Sequence, residues 1–369
     1  MTEQTPVFSA ADHRHMARAL QLAEKGLWTT TPNPRVGCVL VRDGVVIGEG
    51  WHAKAGGPHA EVVALADVRT RGLDPKGATA YVTLEPCNFF GRTPPCTEAL
   101  LAAGVSRVVA AMSDPNPKVA GGGLARLRDA GVTVASGLMA EAARELNPGF
   151  VSRMTRGRPF VRVKLAASLD GRTALAGGES QWITGSDARR DGHRWRARAC
   201  AILTGSGTVM ADDPALTVRG VGDPTADLRQ PLRVVVDSTL RISPRAKIFS
   251  GGALWVGAGG PPAELPNGVE FLALPGGAGH VDLLALLTEL GRRGINELHV
   301  EAGPKLSGAL LREGLVDELL LYVAPCLIGD TGRGLLSFPG LESLADRPLL
   351  TIADARMLGA DLRLRARLA

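Results

Sequence analysis

Three side chains, His59, Cys87 and Cys96, constrain this chain more than any other feature, because they make chemical sense only if the fold closes them onto one point. They stand in Pro58-His59-Ala60-Glu61, in Glu85-Pro86-Cys87 and in Pro95-Cys96. One imidazole and two thiolates form a ligand set suited to zinc. Three protein ligands leave the fourth tetrahedral position for water, the arrangement of a catalytic rather than a structural site. No further Cys or His follows at finger-like spacing. Zinc brings the pKa of a bound water to near 7, and a nearby group must then carry the proton. Glu61, two residues past His59 at the same helix start, is placed for that acid–base role. Pro95 reads as the start of a helix, whose positive end is expected to favour a thiolate at Cys96.

The order His-x-Glu, then Pro-Cys, then Cys matches the signature of zinc-dependent deaminases. It departs from that signature in having eight residues, NFFGRTPP, between the cysteines instead of two. The plain alternative is a coincidental His-x-Glu with two buried cysteines. The combined order and the flanking prolines argue against coincidence.

A length of 369 residues exceeds one typical core and points to two domains. The net charge of +5 is a mild excess without a block of like charges, and aromatics are only 4%, so a nucleic-acid surface has little to build on. Five cysteines, odd in number and unevenly spaced, do not form a disulfide framework; reduced thiols and a cytoplasmic setting are expected. Neither a signal-peptide run nor a window of 18 apolar residues occurs, so no membrane association is expected.

The first half alternates helix and strand patterns. Ser9 with Asp12 marks a helix start, Met16, Ala19, Leu20 and Ala23 share a face, and Gly26 is the stop. VGCVLV and VVIGEG flank Asp43-Gly44, a hairpin signal. A helix from about His59, a strand at TAYVTL, a helix from Pro95 and a strand at RVVAAM follow, and then GLARLRDAG, VTVASG and MAEAARELN. This predicts an α/β sandwich with helices on a mixed sheet. The segment 147–159, NPGFVSRMTRGRP, breaks the pattern and is taken as the boundary, giving domains 1–156 and 157–369. The second half opens with the strand-like FVRVKLAAS and includes CAILTG, LRVVVDS and ELHVEAG. Helices are expected at about 186–198, 282–293 and 304–313, making a second α/β domain.

TLEPCNFFGRTPPC, with TPNPRVGCV before it and DPNPKVAGGG after it, resembles the deaminase half of the bifunctional deaminase–reductases of riboflavin biosynthesis. KLAASLDGRTA, GESQWIT, GTVMADDPALTVR, VVVDS and VEAGPKLSGALL resemble the reductase half, and the likeness runs from about Ala17 to Arg365. The resemblance implies a cytidine-deaminase-like α/β/α sandwich followed by a dihydrofolate-reductase-like α/β domain. It implies zinc-dependent deamination of a phosphoribosyl-aminopyrimidine, then NADPH reduction of its ribosyl group to ribityl. Deaminase substrate contacts implied are Asn33, His52, Arg92 and Thr93. For the reductase, Ser180, Arg196, Leu216, Arg219 and Glu301 are implied to meet substrate. Ala166, Trp182, Thr208, Asp212, Ser238 and Gly303, Pro304, Lys305, Leu306, Ser307, Gly308 and Ala309 are implied to meet NADPH. The expected assembly is a homo-oligomer, dimer or tetramer. One departure is Phe89, where the family usually carries histidine; a phenyl ring can stack on a pyrimidine but cannot exchange hydrogen bonds with it.

The residue types fit these roles without dictating them. Arg196 and Arg219 could clamp a phosphate, although Arg196 in HRWRAR could equally lie on a solvated helix face. No G-x-G-x-x-G opens the second domain, but a strand entering a helix through Gly303-Pro304 can present N–H groups to a phosphate. Trp182 could be a core tryptophan, Lys164 could touch cofactor or fill an edge, and Asp170-Gly171 reads as a turn. Cys38, Cys200 and Cys326 read as small buried residues. His13, His15, His193, His280 and His299 lack ligand-spaced partners. Two other functions fit parts of the pattern: a deaminase of nucleosides or nucleic-acid bases with an accessory C-terminal domain, and a non-catalytic zinc-stabilised binding protein. The second leaves Glu61 without a role.

Overall fold

Residues 7–90, 94–117, 119–222, 229–338 and 340–368 are described by the computed structural model. They fall into two units, Met1–Gly157 and Arg158–Ala369. In the first, Ser9 and Asp12 form a reciprocal capping box at the start of α1 (Ala10–Glu24), which satisfies two N–H groups that the helix cannot. Asp12 also accepts from Tyr81 Oη and Arg107 Nη1, both at 2.7 Å, and so ties α1 to the sheet. β1 (Gly37–Arg42) and β2 (Val45–Trp51) join through Asp43 and Gly44, both at positive φ, as a tight hairpin requires. There follow α2 (Ala60–Thr70), β3 (Thr79–Val82), α3 (Cys96–Ala102), β4 (Arg107–Ala110), α4 (Gly122–Asp129), β5 (Thr133–Ser136), α5 (Ala140–Leu146) and α6 (Pro148–Arg156).

The sheet order is β2-β1-β3-β4-β5, antiparallel about β1 and parallel from β3 to β5. Alternation on the strands makes three layers. Cys38 and Leu40 point into a core with Ala64, Val68, Leu100 and Leu127. Val39 and Val41 point the other way, toward Met16, Leu20, Leu146 and Phe150. Two glycines set the layer spacing. A Cβ on Gly37 would meet Ala19 O at 2.0 Å, and one on Gly50 would meet Ala60 O at 2.3 Å and Ala64 N at 2.4 Å. Both α1 and α2 therefore lie against bare backbone.

The second unit comprises β6 (Phe160–Ser168), β7 (Arg172–Ala174), α7 (Ser186–Arg198), β8 (Ala201–Gly205), α8 (Ser206–Asp212), β9 (Leu232–Val236), β10 (Ala253–Gly257), β11 (Val269–Ala273), α9 (Leu283–Arg292), β12 (Glu297–Val300), α10 (Pro304–Arg312), β13 (Glu318–Ala324), β14 (Arg333–Gly334), β15 (Leu350–Leu358) and β16 (Asp361–Leu368). Nine strands run in the order β11-β10-β9-β8-β12-β6-β13-β16-β15. They are parallel as far as β13 and antiparallel beyond it. α9 and α10 cover one face through Leu286, Leu290 and Leu310. α7 packs on the other, where Trp195 meets Leu320 and Tyr322. Asp191 of α7 accepts from Trp195 Nε1 (3.1 Å), Tyr322 Oη (2.8 Å) and Arg363 Nη1 (2.9 Å), binding the helix to β13 and β16.

Several expectations are corrected. Residues 148–156 form a helix rather than an irregular linker: Pro148 sits in its first turn, where the missing N–H costs nothing, and Gly157 ends it in the left-handed region. Cys326 is exposed, while Cys38 and Cys200 are buried. Trp182 is 70% exposed and is not a core residue. Lys164 lies on β6, between β12 and β13, and not on an edge. Asp170 caps a turn as expected, accepting from Ser168 Oγ, Ile328 N and Gly329 N. Among the described residues no helix is long and apolar enough to cross a membrane.

Candidate active sites

His59, Cys87 and Cys96 converge because two helix starts and one strand end meet at the same edge of the first sheet. His59 is the N-cap of α2, Cys96 is the first residue of α3, and Cys87 lies in the loop leaving β3. His59 Nδ1 is 3.2 Å from Cys96 Sγ and 3.5 Å from Cys87 Sγ, and the three ligand atoms lie within 4.8 Å of one another. A tetrahedral zinc with ordinary Zn–N and Zn–S bonds spaces nitrogen and sulfur ~3.5 Å apart, so the donor set fits that ion.

The two sulfurs of the cluster are electrostatically linked. The hydrogen bond from the Cys96 thiol, with others from His59 and the Cys96 N–H, holds Cys87 down to about 4 against its burial. Cys96 is pushed up, because its proton is held toward Cys87 and it is itself buried. The helix-start N–H of Cys96 points at Cys87 Sγ (3.4 Å), which favours a thiolate there. The Cys87 thiolate in turn raises His59. Glu61 is 3% exposed, and burial, helped by the Cys87 charge, pushes it up to about 7. A buried carboxyl beside a three-ligand site is suited to moving a proton in both directions.

Asn33 and His52 come together beside this cluster. His52 Nδ1 donates to Pro58 O (3.0 Å), which leaves Nε2 as acceptor for Asn33 Nδ2 (3.0 Å). Burial lowers the His52 pKa, and its ring stands edge-on to His59 with centroids 5.4 Å apart. Arg92 and Thr93 lie outside the described residues. Phe89 is 40% exposed and Phe90 82% exposed.

Two supports went unnoticed at the level of sequence. Glu85 is 3% exposed and accepts four backbone N–H groups: Gly123 and Leu124 on Oε1, Asp114 and Gly121 on Oε2, at 2.9–3.1 Å. It fixes the Cys87 loop to the start of α4. Asn147 exchanges two hydrogen bonds with the backbone of Arg35, from Arg35 N at 2.8 Å and to Arg35 O at 2.9 Å. Those bonds pin the Asn33 loop to the α5–α6 junction. A glutamate just before Pro-Cys was the available signal for the first. Nothing local marks the second.

In the other unit, several of the implied cofactor residues lie at the C-terminal ends of parallel strands. Thr208 on α8 accepts from Gly303 N at 3.1 Å, and Ser238 beyond β9 accepts from Val281 N at 3.2 Å. α10 begins at Pro304, so Lys305 and Leu306 hold the first-turn N–H groups without intrahelical acceptors. Ser307 and Gly308 are buried, and a Cβ on Gly308 would strike Ser337 O at 2.2 Å. Ala309 is half-buried in the same helix, and Ala166 on β6. Arg196 and Glu301 pair in parallel, Nε–Oε1 at 2.5 Å and Nη2–Oε2 at 2.9 Å, with Nη1 on Thr217 O. Burial alone would raise Glu301, but Arg196, His299 and Lys164 hold it well below the usual carboxylate range. Burial lowers Lys164, with Glu301 opposing. His299 is fully buried on β12, and burial lowers its pKa against the pull of Glu301, whose Oε1 lies 3.4 Å from its Nε2. Leu216 is buried at positive φ and Ser180 half-buried, whereas Arg219 and Asp212 are exposed. Trp182 stands apart from the strand ends' hydrogen bonds, with the Arg189 guanidinium 4.6 Å from its ring.

Comparison with known proteins covers both halves. The model of the RibD C-terminal domain matches residues 159–364, and that of the cytidine and deoxycytidylate deaminase zinc-binding region matches residues 9–112. The riboflavin biosynthesis protein RibD of Escherichia coli (strain K12) is 54% identical over 361 residues, spanning 95% of this chain and 98% of its own. The structure of Acinetobacter baumannii RibD (form 1) superposes with a TM-score of 0.90 at 44% identity, covering 97% of this chain and 99% of that one. A diaminohydroxyphosphoribosylaminopyrimidine deaminase/5-amino-6-(5-phosphoribosylamino)uracil reductase of Thermotoga maritima gives 0.88 at 34% identity, with the same two coverages.

Proposed function

The chain belongs to the RibD family of riboflavin biosynthesis proteins, and from that premise we propose how its own residues divide two consecutive reactions. It is a bifunctional enzyme. The first unit hydrolytically deaminates 2,5-diamino-6-(5-phosphoribosylamino)pyrimidin-4-one. The second reduces the ribosyl side chain of the resulting 5-amino-6-(5-phosphoribosylamino)uracil to ribityl with NADPH. The observation that carries the first assignment is the buried Glu61 carboxyl beside the convergent His59, Cys87 and Cys96.

Zinc held by those three residues supplies an acidified water at neutral pH. Glu61 takes the proton from the attacking water and delivers it to the departing exocyclic amine, and ammonia leaves. Asn33, its amide oriented by His52, faces the pyrimidine, and Arg92 and Thr93 complete the substrate contacts. In the second unit NADPH supplies the hydride. The N–H groups that open α10, with Thr208 and Ser238, hold the cofactor, and Ala166, Trp182 and Asp212 border it. Glu301 meets the sugar, held in place by Arg196, while the exposed Arg219 meets the phosphate; Ser180 and Leu216 line the same side. The enzyme works in the cytoplasm as a homo-oligomer, a dimer or tetramer. An accessory C-terminal domain on a nucleoside deaminase is set aside by the reductase-family match across 159–364.

The test is incubation of the purified chain with the diaminopyrimidine substrate, resolving products by mass. Without NADPH the deaminated uracil accumulates; with NADPH the ribityl product replaces it. Glu61→Gln retains zinc and loses deamination, while reduction of pre-deaminated substrate continues. Full deamination by that variant would refute the assignment.

A further inference from the structure

One arginine in the second unit has no part in the scheme above. Arg241 lies three residues past Ser238, in the loop that leaves β9. Its Nη2 donates to Ser206 Oγ at 2.9 Å, and its Nε stands 3.9 Å from Asp237 Oδ1. Asp237 is fully buried at the end of β9. Its Oδ2 accepts from Ile242 N at 2.9 Å, but its Oδ1 accepts no hydrogen bond from the described residues. A buried negative charge is thus satisfied on one side only, and it draws in a guanidinium that is 58% exposed.

The place to which the guanidinium is drawn gives it meaning. Ser206 opens α8 two residues before Thr208, which holds the Gly303 N–H. Gly205 packs under α10, where a Cβ would meet Leu306 at 3.2 Å. Arg241, Ser206, Thr208, Ser238 and the first turn of α10 therefore border the C-terminal ends of three successive parallel strands, β9, β8 and β12. In the doubly wound dinucleotide-binding fold, an acidic side chain takes the ribose 2′-hydroxyl of the unphosphorylated cofactor, and a nearby arginine instead accommodates a 2′-phosphate. Here the strand-end carboxylate of Asp237 is fully buried, and the exposed group beside it is the Arg241 guanidinium. Ser206 and Asp237 engage one edge of the guanidinium, and its remaining donors can meet phosphate oxygens in pairs.

Building on the cofactor placement proposed above, we propose that Arg241 reads the 2′-phosphate of the adenosine ribose and makes this unit prefer NADPH to NADH. Ser206 and Asp237 position it. The phosphate adds close to two negative charges, and a partly exposed charge-assisted pair of this type discriminates by about 10- to 100-fold.

The experiment uses the full chain and isothermal titration with two probes, 2′,5′-ADP and 5′-AMP, which differ only in that phosphate. Arg241→Ala is expected to weaken 2′,5′-ADP by about 10- to 100-fold and leave 5′-AMP nearly unchanged. Arg241→Lys keeps part of the preference, and the KM for NADPH rises toward that for NADH. Unaltered deamination by Arg241→Ala reports that the chain is folded. Equal weakening of both probes, or no change in either, overturns the inference. Thr208→Val separates the two levels of argument. If it weakens both probes while Arg241→Ala leaves their ratio intact, only the role of Arg241 falls. If it affects neither probe, the cofactor placement falls and takes the inference with it.

Discussion

Replacing Glu85 by glutamine changes one atom and should unsettle the whole deaminase site. Each carboxylate oxygen accepts two backbone N–H groups, Oε1 from Gly123 and Leu124 and Oε2 from Asp114 and Gly121. An amide has only one accepting oxygen, and its NH2 can only donate. Whichever way the new side chain turns, two buried N–H groups lose their acceptor and face another donor. A buried donor left unsatisfied costs about 1–3 kcal/mol, so the pair costs about 2–6 kcal/mol. For a unit of this size that is a fall in Tm of at least about 4 °C. The damage is local to the Cys87 loop and the start of α4, so zinc content and deamination decline, while reduction of pre-deaminated substrate by the other unit persists. Calorimetry, zinc content and the two activities, measured on the same preparation, check the chain of reasoning. A Glu85→Gln protein with unchanged Tm and full zinc would refute it, since the four hydrogen bonds would then be contributing nothing.

Other outcomes follow from the same geometry. Asp12 is raised by burial but lowered further by the hydrogen bonds from Arg107, Tyr81 and Ser9, so its folded-state pKa lies below that of the unfolded chain. Its stabilisation is complete above the unfolded value of about 4 and is lost as pH falls through the folded one. Asp12→Asn should thus cost about 1–3 kcal/mol in urea unfolding at pH 7, with the gap narrowing by pH 3; a gap independent of pH would contradict this. Asp191→Asn leaves the 6%-exposed Arg363 with Asp354 as its remaining carboxylate partner. It should destabilise the second unit by about 3–5 kcal/mol in denaturant titrations, and a loss below about 1 kcal/mol would show the network to be dispensable. The wild type deaminates despite Phe89, and Phe89→His changes KM more than kcat; a wild type without turnover at saturating substrate would defeat that reading. Chelation of zinc abolishes deamination and spares reduction, as product analysis with and without chelator can establish.

The elements that carry the chemistry were legible because their signals are local. The Ser9–Asp12 cap, the Asp43-Gly44 turn, and the prolines before His59 and Cys96 each act within a few residues. Strands β7, β10, β11, β13, β14, β15 and β16 and the short α8 were not anticipated. Tyr322 takes its buried place through neighbours far away in sequence, among them Trp195 on α7, so no short pattern announces it. The same reason hid α6: Asn147-Pro148 reads as a break, and only the bond to Arg35, 112 residues earlier, shows why the chain folds back there. At the zinc cluster the ligand identities could be read from sequence. The hydrogen bond from the Cys96 N–H to Cys87 Sγ could not, because it depends on the direction in which that N–H points. In the reductase, residue types allowed Arg196 to be a phosphate clamp, whereas the structure commits its fork to Glu301.

Gly50 shows how a catalyst can be calibrated by something absent. The helix bearing His59 and Glu61 rests on strand backbone at that residue, with no room for even a methyl group. An alanine there would lift the imidazole and its neighbouring carboxyl away from sulfurs anchored on different elements, although every reactive group would still be present. A protein copied faithfully at its chemistry-bearing residues but altered at this one would be a well-formed shell around a mistuned reaction centre, and its weakened hold on zinc would betray the change.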